Sequence, residues 1–284
     1  MPPELSARGD GESPVPGVAM RPAAEAALSH PAFAPFVRWW MPRRGAVVPD
    51  PALLSGWARD AALTLPGGRP LWFLPTPSSP VSALEYERRI AATGGVATRP
   101  GNLHDACNAL AWLAFPQTKA ELNAIHVASA GSDTGNGRDR RRDAATLFDE
   151  SGMIVACVDA TLVDLWRKHQ WRAAFWDRRD VVVDRMRAVA IGHGLLAKLV
   201  APFRGITAKA LVLPLDGAVL PAEPAQLAAV LDAAAAASVS ARGAAFAPED
   251  LLALPIAALP GWDVESRGAP LFDDTAVFRP RVLR

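Results

Sequence analysis

The chain has 284 residues, of which 50% are hydrophobic, with 30 Lys and Arg against 29 Asp and Glu. This composition is typical of a globular protein, and the net charge of +1 excludes a polybasic protein that coats nucleic acid by charge alone. The two cysteines, Cys107 and Cys157, lie in apolar runs. We therefore expect buried, reduced thiols rather than a disulfide scaffold or a cysteine metal cage.

The N-terminal segment, residues 1–20, is rich in Pro, Gly and Ser and predicts a disordered leader ahead of a single domain over residues 21–284. It lacks the basic start and the apolar core of a signal peptide, and no apolar run in the chain is long enough to span a membrane. These features predict a cytoplasmic protein without a membrane partner.

The predicted elements begin with a helix that opens at Pro51, with Asp50 as its N-cap. Residues 69–74 predict a short buried strand. A capping box at Ser82 opens the next helix, which we expect to run through about Ala92.

The stretch from Asn102 to Pro116 predicts a buried helix, because Asn102 is a suitable N-cap and the residues after it are mostly apolar. Asn108 is the one polar side chain between Ala106 and Phe115. A buried amide costs roughly 1–3 kcal/mol when it is left unpaired. Asn108 therefore needs hydrogen-bond partners inside the protein.

A further helix follows, for which Thr118 opens a second capping box. Lys119, Asn123 and His126 lie at positions i, i+4 and i+7 of this helix and therefore share one face. His104 lies in the first turn of the preceding helix, where the positive end of the helix dipole favours a neutral imidazole. Such a ring can serve as a metal ligand or as a base.

Two β-rich runs flank a turn-forming segment, residues 149–152, and predict a β-hairpin near residues 144–158. A strand over 208–215 and a helix over 226–237 follow. Together with the helices, these elements predict a mainly helical α+β domain with a small sheet that includes the hairpin.

Apolar stripes at helical spacing predict two more core helices, over residues 161–178 and 180–200. His193 lies in the middle of the second of these helices. Its neighbours Gly192 and Gly194 leave room for another backbone or a ligand to approach closely.

Four blocks carry most of the chemistry-bearing positions, and they are TRPGNLHDACNALAWLAFPQTKAELNAIH (98–126), RDAATLFDESG (142–152), GHGLLAKLVAPFRGITAKAL (192–211) and LPGWDVESRGAPLFDDTAVFRP (259–280). Together they resemble a bacterial domain-of-unknown-function family, number 3025. The resemblance implies a soluble bacterial protein and points to no particular activity. The polar and aromatic positions of these blocks are His104, Asp105, Asn108, Trp112, Lys119, Asn123, His126, Arg142, Asp143, Asp149, His193, Asp273, Asp274 and Arg279.

The dense polar set beside a buried helix predicts a cytoplasmic hydrolase, assisted by a divalent metal ion as its cofactor. His104 and His126 are the candidate metal ligands or bases. The candidate catalytic residues are His104, Asp105, Asn108, Lys119, Arg142 and Asp143.

Their expected roles follow from their chemistry. Asp105 or Asp143 supplies a supporting carboxylate, and Asn108 orients its neighbours. Lys119 or Arg142 holds an anionic group of a small-molecule substrate.

The alternative is a binding or scaffold protein with a protein partner, in which the polar network only fixes how the helices pack. Nucleic-acid binding is a weaker alternative. Basic residues alternate with Trp166 and Trp176, which would suit base stacking, but helical spacing places both tryptophans on the core stripe.

Overall fold

The computed structural model describes residues 30–39, 48–77, 81–129, 139–262 and 268–281. The predicted disordered leader, residues 1–20, lies outside the described residues. Over the described ranges the chain forms helices and small sheets around a continuous hydrophobic core. The predicted α+β class, mainly helical with a small sheet, is confirmed.

The α-helices of the described ranges are α1 (Pro51–Asp60), α2 (Ala83–Thr93), α3 (Leu103–Ala114), α4 (Pro116–Ser129), α5 (Arg140–Ser151), α6 (Ala160–Arg167), α7 (Trp171–Phe175), α8 (Arg179–Arg185), α9 (His193–Leu199) and α10 (Pro224–Arg242). Short 3-10 helices occur at Pro31–Phe36, Gly217–Val219, Gly243–Ala245, Pro248–Asp250, Ile256–Ala258 and Ala269–Asp273. The strands are β1 (Thr64–Leu65), β2 (Arg69–Pro70), β3 (Trp72–Pro75), β4 (Gly95–Thr98), β5 (Gly152–Cys157), β6 (Met186–Ala190), β7 (Thr207–Leu213) and β8 (Leu251–Pro255).

The largest sheet has four strands in the order β6-β5-β7-β8. Strand β5 pairs antiparallel with β6 and parallel with β7, and β7 pairs antiparallel with β8. All six residues of β5 are buried, as expected for a central strand that is covered on both faces. Two smaller pairings complete the sheets of the described residues, β1 with β2 (antiparallel) and β3 with β4 (parallel).

The predicted caps of three helices are confirmed. The Asp50 carboxylate accepts from the backbone N–H of Leu53, 2.8 Å away, at the start of α1. Ser82 caps α2, and Asn102 caps α3. An N-cap involves residues that are close together in the sequence, so it can be predicted from the sequence alone.

The predicted hairpin near residues 144–158 is wrong in its first half. Residues Arg140–Ser151 form α5, capped by Asp139, whose carboxylate accepts from the N–H groups of Arg141 and Arg142. The turn-forming residues 149–152 end this helix instead of joining two strands. The antiparallel partner of β5 is the distant β6.

The predicted helix over 180–200 is interrupted in the structure. Residues Met186–Ala190 form the edge strand β6, and His193 is the first residue of α9 rather than a mid-helix position. The segment pairs with β5, and this long-range partner overrides the helical periodicity.

The predicted capping box at Thr118 is replaced by a cap from a distant helix. Helix α4 begins at Pro116, and its first N–H groups, from Gln117 and Thr118, donate to the carboxylate of Asp232 in α10 at 3.0 and 2.7 Å. The Thr118 hydroxyl donates to the Asp232 carbonyl oxygen. Asp232 thereby ties α10 to the start of α4.

Within the described ranges, Pro224–Ala245 is the one helical segment that is long and apolar enough to cross a membrane. It contains α10, which packs against α4 and the Pro31–Phe36 turn and has Leu231 and Val239 fully buried. Its buried apolar residues belong to the protein core.

Candidate functional site

The site lies where three helix ends meet beside the main sheet. In the β5–β6 ladder Met153 pairs with Ala190, so the residues before β5 and the residues after β6 leave the sheet at the same end. This register brings the end of α5, with Glu150, next to His193 at the start of α9. Helix α3 packs against α9 and adds His104 from its first turn.

Three side chains of types that can ligate a metal converge at this point. The ligand atoms of His104, Glu150 and His193 all lie within 4.8 Å of one another. Nε2 of His193 lies 3.0 Å from Oε2 of Glu150, and the rings of His104 and His193 meet edge to face with centroids 4.5 Å apart. Two imidazoles and one carboxylate form a donor set that suits a divalent transition metal.

The other nitrogen of His193 faces a second carboxylate. Its Nδ1 is buried and has no hydrogen-bond partner within the described part of the chain, and it lies 3.6 Å from Oδ2 of Asp149. A small movement of either side chain would make this contact a hydrogen bond. Asp149 is thereby placed to fix the orientation and the tautomer of His193.

Asp149 is itself held by a buried lysine. The Lys119 ammonium, 3% exposed as a residue, donates to Oδ1 of Asp149 and to Oδ1 of Asn108, the latter at 2.9 Å. Asn108 donates in turn to the Tyr86 hydroxyl at 3.0 Å, and the Lys119 ammonium lies 5.3 Å from the Trp112 ring centroid. The prediction that Asn108 needs internal partners is confirmed.

Two cavities meet at this cluster. The larger, of about 640 Å³, is lined by both charged and apolar side chains, among them Tyr86, Ile90 and Trp112. The second, of about 600 Å³, is lined by Arg142, Thr146 and Glu150 together with residues that also line the first. The residues shared by both cavities are Ala83, Glu87, His126, Asp149 and His193.

Most predicted site residues line these cavities. The larger cavity is lined by His104, Asp105, Asn108, Lys119 and His126. Asn123, which was predicted to share a helix face with Lys119 and His126, lines the same cavity. His126 is outside the group whose ligand atoms converge.

The two predicted supporting carboxylates, Asp105 and Asp143, are placed differently. Asp105 is held by Arg99, whose backbone N–H and guanidinium donate to it at 2.8–2.9 Å, so it acts as an anchor for the start of α3. Asp143 lies in the first turn of α5 and, among the described residues, is not one that lines either cavity. Asp149 takes the supporting position.

Two residues of the site had no signal in the sequence analysis, namely Glu150 and Glu87. Glu150 belongs to the segment that was predicted to form a hairpin turn. Glu87 lies in α2, where a charged residue ordinarily indicates a solvated face, yet its side chain accepts from Nδ2 of Asn123 at 2.6 Å. A search for carboxylates near His193 would have drawn attention to Glu150 only if the pairing of β5 with β6 had been known.

Burial and the local charges set the protonation preferences of the cluster. Burial lowers the pKa of His104, and the nearby His193 lowers it further. Burial opposes ionisation of Asp149, but the charges of Lys119 and His193 outweigh it and hold its pKa below the usual value. The hydrogen bond from His193 lowers the pKa of Glu150. A neutral His104 beside two ionised carboxylates is the state that binds a cation.

Glu87 behaves in the opposite way. Burial raises its pKa, and the charge of Asp149 adds to this effect against the hydrogen bond from Asn123 and the charge of Lys119. Glu87 therefore keeps its proton to higher pH than an ordinary glutamate, and it lies on the wall of both cavities. A group of this kind can donate a proton to a leaving group.

We expect the buried histidines to reduce the free energy of unfolding as the pH drops below about 6.5. Burial lowers the pKa of His30 and His126 in the folded protein, whereas unfolded histidines titrate near 6.5. The unfolded chain then binds more protons, so stability that is present above pH 6.5 is lost as the pH falls toward the folded pKa values. Carboxylates with lowered pKa values, such as Asp149, act only at more acidic pH. The raised pKa values of Glu87 and Asp232 act in the opposite direction, because the folded protein then binds more protons than the unfolded chain.

Urea unfolding at about pH 7.5 and about pH 5.5 measures this loss. The variant His126→Gln should reduce the difference between the two conditions, because it removes one of the titrating groups. An equal pH dependence of stability in the unmodified protein and in His126→Gln would contradict the expectation.

Comparison with other proteins gives a family and no activity. No curated protein and no solved structure matches the chain. The family model described as "Protein of unknown function (DUF3025)" matches residues 71–282, a range that contains all four blocks of the sequence resemblance and every residue of the site. The chain therefore belongs to the DUF3025 family.

Proposed function

We propose that the protein is a metal-assisted hydrolase whose divalent cation is held by His104, Glu150 and His193. The observation that supports it is the convergence of these three sets of ligand atoms within 4.8 Å at the junction of two cavities. Two histidines and a glutamate are the protein ligands of many catalytic zinc sites, in which the remaining position is open to water. A bound cation would lower the pKa of that water toward neutrality and polarise the bond to be cleaved.

The ligand set differs from the sequence prediction in one member. His104 keeps its predicted role, and His193 with Glu150 supplies the other ligands. His126, on the shared wall of the cavities, is proposed as a base, which was its other predicted role. Burial keeps its pKa below the ordinary value, so the ring is neutral and able to accept a proton.

The surrounding network positions the ligands. Asp149 faces Nδ1 of His193, Lys119 holds Asp149, and Asn108 holds Lys119. A carboxylate partner of this kind fixes the ring of the ligand histidine, and its removal typically weakens metal affinity by roughly 10- to 100-fold. The substrates to screen are esters, amides and phosphoesters, since each has a polar bond that a metal-bound water can attack.

Metal content is the test of this proposal. Protein purified without a metal-binding tag and supplied with Zn²⁺ is expected to retain about one equivalent per chain after desalting. His193→Ala and Glu150→Gln should each abolish retention. Elemental analysis of the desalted protein gives the result directly.

The matched control removes a histidine outside the site. His169 is half-buried and has a φ of 56°, a conformation that Asn tolerates, so His169→Asn should keep the full metal content. Absence of retained metal in the unmodified protein, or equal losses in all three variants, would overturn the proposal.

The alternative, a binding or scaffold protein, is supported by the Lys119 network itself. Lys119 is buried and has a partner on either side, as a purely structural device would. Asn108→Ala distinguishes poorly between a hydrolase and a scaffold protein, because the substitution disturbs the packing in either case. His104→Ala is sharper, because this exposed residue should affect metal retention and leave the stability of the metal-free protein unchanged.

The cellular setting remains part of the proposal. Cys107 and Cys157 are free and buried, which supports the predicted reducing compartment, the cytoplasm. Of the two tryptophans that the sequence placed on the core stripe, Trp166 is 1% exposed, whereas Trp176 is half-buried against Phe272. The burial of Trp166 supports a small molecule rather than a nucleic acid as the partner, because a buried ring is unable to stack on bases.

A further inference from the structure

One face of α5 runs from the proposed metal centre along the second cavity. Arg142, Thr146, Asp149 and Glu150 all line this cavity, and they lie at positions i, i+4, i+7 and i+8 of the helix. With a rise of about 1.5 Å per residue, Arg142 lies about 12 Å along the helix axis from Glu150. The cavity therefore connects a guanidinium with the convergent ligands.

The cations around the two cavities differ in what they already bind. Lys119 is 3% exposed and is occupied by Asp149 and Asn108, and the Arg99 guanidinium is occupied by Asp105. Arg142 is exposed, and within the described ranges no side-chain or backbone oxygen accepts a hydrogen bond from its guanidinium. Of the two residues that the sequence suggested for an anionic group, Arg142 is the available one.

We infer that the second cavity binds the anionic group of a substrate, a phosphate or a carboxylate, through Arg142. The planar guanidinium donates two parallel hydrogen bonds to either group. The Thr146 hydroxyl lies one helical turn closer to the cluster on the same wall, and it donates to the Arg142 carbonyl oxygen at 2.9 Å. The substrate is then an anionic ester, amide or phosphoester, with its charged group in the second cavity and its apolar part against Tyr86, Ile90 and Trp112 in the larger one.

The cleavage of such a substrate depends on the proposed function, whereas the anion site is independent of any metal. The test therefore uses metal-free protein, treated with a chelator and then dialysed. Inorganic phosphate and acetate are titrated separately by calorimetry, so that the two kinds of anion are distinguished. We expect saturable binding of at least one of them, weakened about tenfold or more in Arg142→Gln.

Two further variants make the result specific. Arg140→Gln removes the same charge from the same helix turn, but Arg140 pairs with Glu249 outside the cavity, so anion binding should be unchanged. Arg89→Gln removes one of the cations that line the larger cavity and should also leave binding unchanged.

The outcomes separate this inference from the metal proposal. Binding that is lost in Arg142→Gln alone supports the anion site, even if the chain retains no metal. Absence of anion binding by the metal-free protein, equal losses in Arg142→Gln and Arg140→Gln, or a loss confined to Arg89→Gln would each overturn it. Anion binding that appears only after Zn²⁺ is added, and that Arg142→Gln does not weaken, would also overturn it while supporting the metal centre.

Discussion

Lys119→Met should destabilise the folded protein by about 3 kcal/mol, near the lower end of the range for breaking a buried ion pair. Methionine fills a similar volume but lacks the ammonium that neutralises Asp149 and satisfies Asn108. The lower end applies because the Asp149 side chain is still 21% exposed and water can solvate part of its charge.

Urea unfolding of the metal-free protein measures this effect, with Lys198→Met as the control, because Lys198 is an exposed lysine on α9. The double variant Lys119→Met with Asp149→Asn should recover part of the loss, since no carboxylate is then left without its partner. A loss below about 1 kcal/mol for Lys119→Met would show that the pair is not a stabilising element.

The same variants bear on function. If Asp149 orients His193, the double variant should regain stability without regaining metal affinity, which is expected to stay roughly 10- to 100-fold weakened. If the network is only structural, metal retention is absent from the outset and stability is the one quantity that changes.

Gly192→Ala should destabilise the protein by about 3 kcal/mol, at the upper end of the range for overpacking. A Cβ at Gly192 would lie 2.3 Å from the backbone nitrogen of Gly152 and 2.7 Å from backbone atoms of Ser151. These atoms belong to the junction of α5 and β5 and have no room to move, because Gly192 N–H also donates to the Gly152 carbonyl at 2.9 Å.

Gly194→Ala should affect the site more than the fold. Its Cβ would lie 2.2 Å from Oε1 of Glu150, the end of a flexible side chain that can rotate away, and 3.0 Å from the Glu150 carbonyl oxygen. We expect loss of metal retention with a much smaller loss of stability than in Gly192→Ala. Gly217→Ala is the control, because nothing lies within 4 Å of its Cβ position. Full metal retention in Gly194→Ala would contradict the role of Glu150 as a ligand.

The parts of the fold that could be predicted are those that depend on residues close together in the sequence. Caps at Asp50, Ser82 and Asn102 were predicted correctly because each involves residues three positions apart. The first half of the segment 144–158 and the strand Met186–Ala190 were not, because the pairing of β5 with β6 joins residues that are distant in the sequence, such as Met153 and Ala190. Residues Met186–Ala190 form a strand because they pair with β5, and no pattern within the segment itself indicates this partner.

The candidate site was predictable to the same extent. The common face of Lys119 and His126 followed from helical spacing, and the internal partners of Asn108 followed from its place in an otherwise apolar helix. The convergence of His104, Glu150 and His193 did not, since these residues come from three segments that meet only after β5 and β6 have paired. The glycines on both sides of His193 were the one local sign of a close approach. The backbone of Ser151 and Gly152 lies against Gly192, and Glu150 lies against Gly194.

The two buried thiols can serve as probes of local unfolding. Burial raises the pKa of Cys107 to about 12 and also raises the pKa of Cys157, so neither forms a thiolate readily while the chain is folded. Cys107 lies on α3 with His104, and Cys157 ends β5, the strand that follows Glu150. Alkylation at each position is therefore limited by local unfolding, and the two rates report separately on the loosening of α3, which carries His104, and of β5, which follows Glu150.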